Sequence, residues 1–258
     1  MPRILLVAQD KGGVGKTVVA RALAEAVPDA PIIEIDASRR LLELGDRVRF
    51  FPMRADRAEI ERTGGRAARA EFDPIISAME KAELPMIVDI GANTSGSLLA
   101  VLADLAPDLM AVGIEIGVLV VVTAEPGALA EAPKLMALAK SFAASRFLVA
   151  NQFQGELGEE QLGRLAEGAK VKSLAEQAME KDAVELLQAG GLASISRLDP
   201  AKLNERHGIA KSARIRRDLT RFRAEAMEAV SPAAEWLVGD AEEEPMTPTA
   251  TRRGVKRG

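Results

Sequence analysis

The chain contains no cysteine and no tyrosine, and only one histidine and one tryptophan among its 258 residues. Without cysteine there can be no disulfide, thiolate metal site, iron–sulfur cluster or cysteine nucleophile, and a reducing compartment costs the chain nothing. The lone histidine, His207, has no companions with which to hold a metal and is expected at the surface. Long apolar runs are also missing. The longest, IGVLVVVTA from Ile116 to Ala124, falls well short of the roughly 20 residues of a membrane-spanning helix. The opening MPRILLVAQDKGG lacks the charged region, apolar core and cleavage site of a secretion signal, so a soluble, cytoplasmic protein is expected. No excess of positive charge draws the whole molecule to nucleic acid, because the formal net charge is −4, and any such contact must come from a local patch.

Hydrophobic residues make up 48% of the chain, enough for one large buried core, and a single domain is expected over residues 1–238. Short apolar runs (3–8, 31–36, 48–51, 86–90, 116–124, 146–152 and 193–196) read as strands. They alternate with alanine- and leucine-rich stretches of helical spacing, such as TVVARALAEAV, DPIISAMEKA and EAPKLMALAKSFAA. That alternation predicts an α/β fold: a doubly wound, mostly parallel sheet with helices on both faces. Residues 53–72, charged around Gly64 and Gly65, read as helix, turn, helix at the surface. Residues 208–237 read as one or two helices interrupted near Pro232, with Trp236 packing the last of them onto the body. Beyond Gly239 the hydrophobic pattern is lost and residues 239–258 read as a disordered tail.

Between the first strand and the first helix lies QDKGGVGKT, residues 9–17, the context that a phosphate-binding P-loop requires. Gly12, Gly13 and Gly15 let successive backbone N–H groups, those of Val14, Lys16, Thr17 and Val18 among them, turn toward a phosphate at a helix N-terminus. Lys16 supplies a point charge to the β- and γ-phosphates, and the Thr17 hydroxyl suits Mg²⁺. The motif departs from the ordinary one: Asp10 stands where its first glycine belongs, and Lys11 follows directly.

This K-G-G-x-G-K-T register resembles the deviant Walker A motif of the ParA/MinD family of P-loop ATPases. The resemblance implies binding of ATP and Mg²⁺, a nucleotide-bridged homodimer in which Lys11 reaches the partner's phosphates, and slow hydrolysis stimulated by a protein activator. It extends over about residues 3–200. IIEIDASRR matches the family's D-x-D, with Glu34 replacing the first aspartate and Asp36 matching the second, which positions the attacking water. A carboxylate at the C-terminal edge of a strand can do this beside a γ-phosphate, and can also touch the metal. Read without the P-loop, Asp36 is better taken as a helix N-cap. MIVDIGANTSG has Walker B form, so Asp89 would hold Mg²⁺ through water and Gly91 would sit where the γ-phosphate is sensed. Asn151 matches the family's strand-ending asparagine that hydrogen-bonds adenine, although an asparagine closing a strand at a turn is common. ASISRLDP looks like the loop after the family's last strand, beside the base. VAQDKGGVGK and VDIGANTSG are further similar to the conjugative-transfer branch of the TraL kind.

The same absences prune the relatives. Iron–sulfur members need cysteine, and bacterial tyrosine kinases of the superfamily need a tyrosine cluster.

Around residues 206–223 a helix gathers Arg206, Lys211, Arg214, Arg216, Arg217, Arg221 and Arg223 opposite an apolar face of Ile215, Leu219, Phe222, Ala226 and Val230. That cationic face reads as solvated surface, as a contact for the DNA backbone through Arg214, Arg216, Arg217 and Arg221, or, less well, as a membrane-surface contact. Taken together, the expectation is a dimerising ATPase switch that positions, partitions or assembles a cargo. The rivals are a small-molecule ligase of the dethiobiotin-synthetase kind and an ATP-binding scaffold that does not hydrolyse.

Overall fold

The computed structural model describes residues 2–53 and 66–239. Among them seven strands form one parallel sheet in the order β3-β2-β4-β1-β5-β6-β7. The strands are β1 (Arg3–Ala8), β2 (Ile32–Asp36), β3 (Val48–Pro52), β4 (Met86–Ile90), β5 (Glu115–Val122), β6 (Ser145–Asn151) and β7 (Lys170–Leu174). The near-continuous apolar runs of β1, β4 and β5 are explained by their central places, where both faces of the strand are covered.

Helices α1 (Lys16–Ala26), α2 (Arg66–Glu80), α3 (Ser95–Ala111), α4 (Pro126–Lys140), α5 (Glu159–Ala166), α6 (Lys181–Gly190), α7 (Pro200–His207) and α8 (Ile209–Val238) pack around the sheet. The 30-residue α8 lies along α1 and reaches β1, β6 and β7, while α3 and α4 pair with each other. Ile215, Leu219, Ala226 and Val230 of α8 are fully buried, as the spacing predicts. Trp236 does dock the end of α8 on the body. Its indole meets Phe147 at a centroid distance of 6.1 Å and lies under the Arg3 guanidinium at 5.4 Å. It also covers Gly117 of β5, where an added Cβ would stand 2.4 Å from the ring.

Three sequence expectations are corrected. Residues 193–196 are not a strand but part of a 3-10 helix, Leu192–Arg197, whose buried Leu192 anchors it. The run ASIS is too short and too polar to displace an edge strand. That place is taken by β7, whose KVKSL pattern gave little hydrophobic signal because it is an edge guarded by exposed lysines. Finally, α8 runs unbroken through Pro232. Proline cannot donate to the carbonyl of Glu228, and the Ser231 hydroxyl does so instead at 3.0 Å. The turn expected at Gly64 and Gly65 and the tail expected over residues 240–258 lie outside the described residues.

Candidate functional site

The C-terminal ends of β2, β4 and β1 lie side by side, with Glu34 opposite Asp89 and Val7 opposite Asp89 in register. Asp36, the Asp89 loop and residues 9–15 therefore share one sheet edge, the edge where open α/β sheets bind ligands. The loop after β1 turns through Gly13 at φ 80° and Gly15 at φ 95°, left-handed values that favour glycine. Gly15 closes the loop as the N-cap of α1, its carbonyl accepting from Val18 N at 3.0 Å and Val19 N at 3.1 Å. A Cβ at Gly12 would meet only Ala92 at ordinary contact distance, so Gly12 is less constrained than the sequence suggested.

Lys16 is buried, and its Nζ donates to the Gln9 carbonyl at 2.7 Å and the Lys11 carbonyl at 3.4 Å. Burial lowers the Lys16 pKa, an effect opposed by Asp89, Asp10 and Asp36. Asp89 is buried with its Oδ1 lacking any hydrogen-bond partner, while Thr17 hydrogen-bonds the carboxylate. Burial pushes the Asp89 carboxyl up to about 6, against the opposing pull of Lys16. An orphaned buried oxygen beside a threonine hydroxyl is a donor set suited to a hard cation such as Mg²⁺. Among the described residues no cluster of three or more acidic, histidine or cysteine side chains could by itself hold a metal. A cation here would need the phosphates as ligands.

Asp10 does more than replace a glycine. Its carboxylate accepts from Gly96 N at 3.1 Å, and its carbonyl from Asn93 N at 2.9 Å, so it ties the loop to the start of α3 just after Asp89. Burial raises its pKa, while the Gly96 and Ser95 amides pull it down. Gln9, which the sequence reading passed over, is the second tie. Fully buried, it donates from Nε2 to the carbonyls of Val121 and Ala128, and its Oε1 accepts from Lys11 N at 3.2 Å. A polar side chain closing an otherwise apolar strand was the available signal.

Lys11 projects over Gly127, and its Nζ lies 2.7 Å from Oε1 of Glu125, the N-cap of α4. Beside it opens a cleft of about 590 Å³ lined by Asp10, Lys11, Asn93, Ser97 and Glu131. Asp36 is paired with Arg40 at 3.1 Å and accepts from Ser38 N at 3.3 Å; the next helix is the 3-10 helix Leu42–Arg47, whose N-cap is Leu41, so Asp36 is not an N-cap. Gly91 has no room for a side chain, since a Cβ would stand 2.7 Å from the Ile35 carbonyl. Asn151 is buried against the loop, donating from Nδ2 to the Val14 carbonyl at 3.0 Å and covering Gly15. The 3-10 helix at 192–197 packs on α1 and α8, and its Leu192 and Ala193 line a pocket with Arg21, Glu25 and Glu43.

The basic helix keeps less free charge than its composition suggests. Lys211 pairs with Asp182, Arg214 with Glu180, Arg217 with Asp218, Arg221 with Glu225 and Arg223 with Glu25. His207 is not a surface residue: its side chain is 9% exposed, packed with Nδ1 3.4 Å from Asp182. No described helix is long and apolar enough to cross a membrane.

A parallel sheet of this order, with a glycine loop and Lys16 between its central strand and α1, defines a P-loop nucleoside-triphosphatase fold. The loop also carries Lys11, the residue on which the sequence resemblance to the ParA/MinD ATPases rests. No family model and no curated protein matches the chain. Solved structures similar in chain path include the MinC:MinD cell division complex of Aquifex aeolicus, at 14% identity and TM-score 0.44 over 86% of this chain and 96% of that one. A McdA–ATP complex from Cyanothece aligns at 14% identity and TM-score 0.42, over 86% of this chain and 96% of that one. A putative plasmid partition protein from Borrelia burgdorferi bound to AMPPNP aligns at 15% and 0.45, over 90% of this chain and all (100%) of that one.

Proposed function

We propose that the protein is an ATP-dependent switch: it binds Mg-ATP at the loop 9–18, dimerises across Lys11 and hydrolyses ATP slowly to reset a positioning or assembly cycle. The observation that carries this reading is the mechanical linkage of the phosphate-facing segments. Asp10 fastens the loop to the start of α3, and Gly91 N donates to the Ile35 carbonyl at 2.5 Å, so movement at the phosphates is passed to the β2 and β4 loops together.

In this reading Gly12–Val18 amides and Lys16 hold the phosphates, while Thr17 and Asp89 hold Mg²⁺. The metal would neutralise phosphate charge and orient the γ-phosphate. Lys16 must leave the carbonyls of Gln9 and Lys11, and Asp36 must leave Arg40 before it can orient water. Asn151, which donates to the loop at Val14, would border the base side of the site in this reading.

The ligase reading needs a pocket for a small carboxylic acid near the γ-phosphate. The cleft beside Lys11 has the volume, but Asp10 and Glu131 line it and Glu125 already occupies the Lys11 ammonium, so it repels an acid. Turnover with ATP and Mg²⁺ alone, with and without candidate protein partners, tests the choice. Slow hydrolysis and analogue-dependent dimerisation that Lys11→Ala abolishes support the switch. Turnover only with an added carboxylic acid overturns it, and nucleotide binding with no turnover under any condition leaves the scaffold reading.

A further inference from the structure

We propose that Arg40 is a γ-phosphate-sensing cation of this site: its guanidinium, paired with Asp36, exchanges that carboxylate for the γ-phosphate. This rests on the Mg-ATP reading of the loop.

Asp36 ends β2 one strand away from Asp89, and an added Cβ on Gly91 would stand 3.1 Å from the Asp36 Cα, so the Asp36 carboxylate borders the loop after Asp89. Arg40 Nε sits 3.1 Å from that carboxylate. Lys16 begins α1 at the same sheet edge, so the two cations approach that edge from the β2 and β1 sides.

The backbone beneath Arg40 is braced in an unusual way. Glu34 is buried, and its Oε1 accepts from Arg40 N at 2.5 Å and from Leu41 N at 3.3 Å. A carboxylate taken out of water is costly, and burial raises its pKa. Here both bonds go to the two residues that aim Arg40. The side chain itself stays 56% exposed and can swing. The neighbouring Arg39 is turned the other way, its guanidinium 5.2 Å over the Phe50 ring on the β3 side.

A planar guanidinium held by one partly exposed carboxylate gains by moving to a γ-phosphate, because both accept paired N–H donors and the phosphate carries more negative charge. The exchange would free Asp36 only when a γ-phosphate is present. ADP leaves the pair intact.

Calorimetric titration with ADP and with a nonhydrolysable ATP analogue, both with Mg²⁺, tests this in wild type, Arg40→Ala and Arg40→Lys. Arg40→Ala should weaken the analogue about tenfold or more, the worth of a charge-assisted bond, and change ADP less than about twofold. Arg40→Lys, which keeps the charge without the fork, should recover part of the loss. Equal weakening of both nucleotides, or of neither, overturns the sensor while leaving the Mg-ATP reading standing. A wild type that binds neither nucleotide overturns both.

Discussion

Lys11 Nζ is 2.7 Å from Glu125 Oε1 of the same chain. The lysine that distinguishes this loop is thus engaged within its own subunit, by the residue that begins α4. If Lys11 acts across a dimer, this pair has to break first. Both side chains are partly exposed, so the pair is a weak restraint. Glu125→Gln should therefore lower the nonhydrolysable-analogue concentration at half-dimerisation by about two- to fivefold in sedimentation experiments. An unchanged or higher concentration would show that Glu125 does not compete for Lys11.

Asn151 donates to the Val14 carbonyl inside the loop, so Asn151→Ala strips a buried acceptor of its partner. Stability should fall by about 1–3 kcal/mol, measured by denaturant unfolding. Affinities for ATP and GTP should fall together, because the loop rather than the base is disturbed. A loss confined to ATP would instead make Asn151 an adenine contact.

Asp10 adds a pH dependence. Burial raises its folded-state pKa above 3.8, so the folded chain binds that proton more tightly than the unfolded chain. In the interval that starts near 3.8 and runs up to the raised value, the unfolded state holds fewer protons, and stability falls as pH rises. Asp10→Asn keeps an oxygen for Gly96 N but carries no charge. It should be more stable than wild type above that interval and should lose its advantage below it, read from unfolding midpoints against pH. A pH-independent difference would mean that the carboxyl's charge is not the issue.

Gly117 lies under the Trp236 indole with no room for a methyl group. Gly117→Ala should cost about 1–3 kcal/mol through overpacking. Adding Trp236→Leu should recover part of that cost, so the double variant is more stable than the sum of the two singles predicts. Additive losses would show that the end of α8 is not docked through this contact.

Much of the site was readable because a P-loop is written in consecutive residues. Glycines with left-handed φ, a lysine at the helix start and a strand before them are local properties, and Gly13, Gly15, Lys16 and Thr17 fall where the motif places them. Strand β4 was legible for a similar reason, since a nearly continuous apolar run of this length reads as a buried parallel strand. Strand β7 and the 3-10 helix at 192–197 were not legible. Short polar segments take their conformation from the edge they are offered rather than from their own pattern.

The sequence by itself determined the parallel α/β class, the phosphate loop and the candidate ligands Thr17 and Asp89, because hydrophobic period and glycine placement act over a few neighbouring bonds. Only the tertiary structure decided what the charged side chains touch. Asp10 meets Gly96 across 86 residues, Asn151 meets Val14 across 137, and Lys11 meets Glu125 only because β1 and β5 are neighbours in the sheet. Hydrogen bonds and ion pairs reach about 3 Å, so their partners are set by which strands the fold brings together.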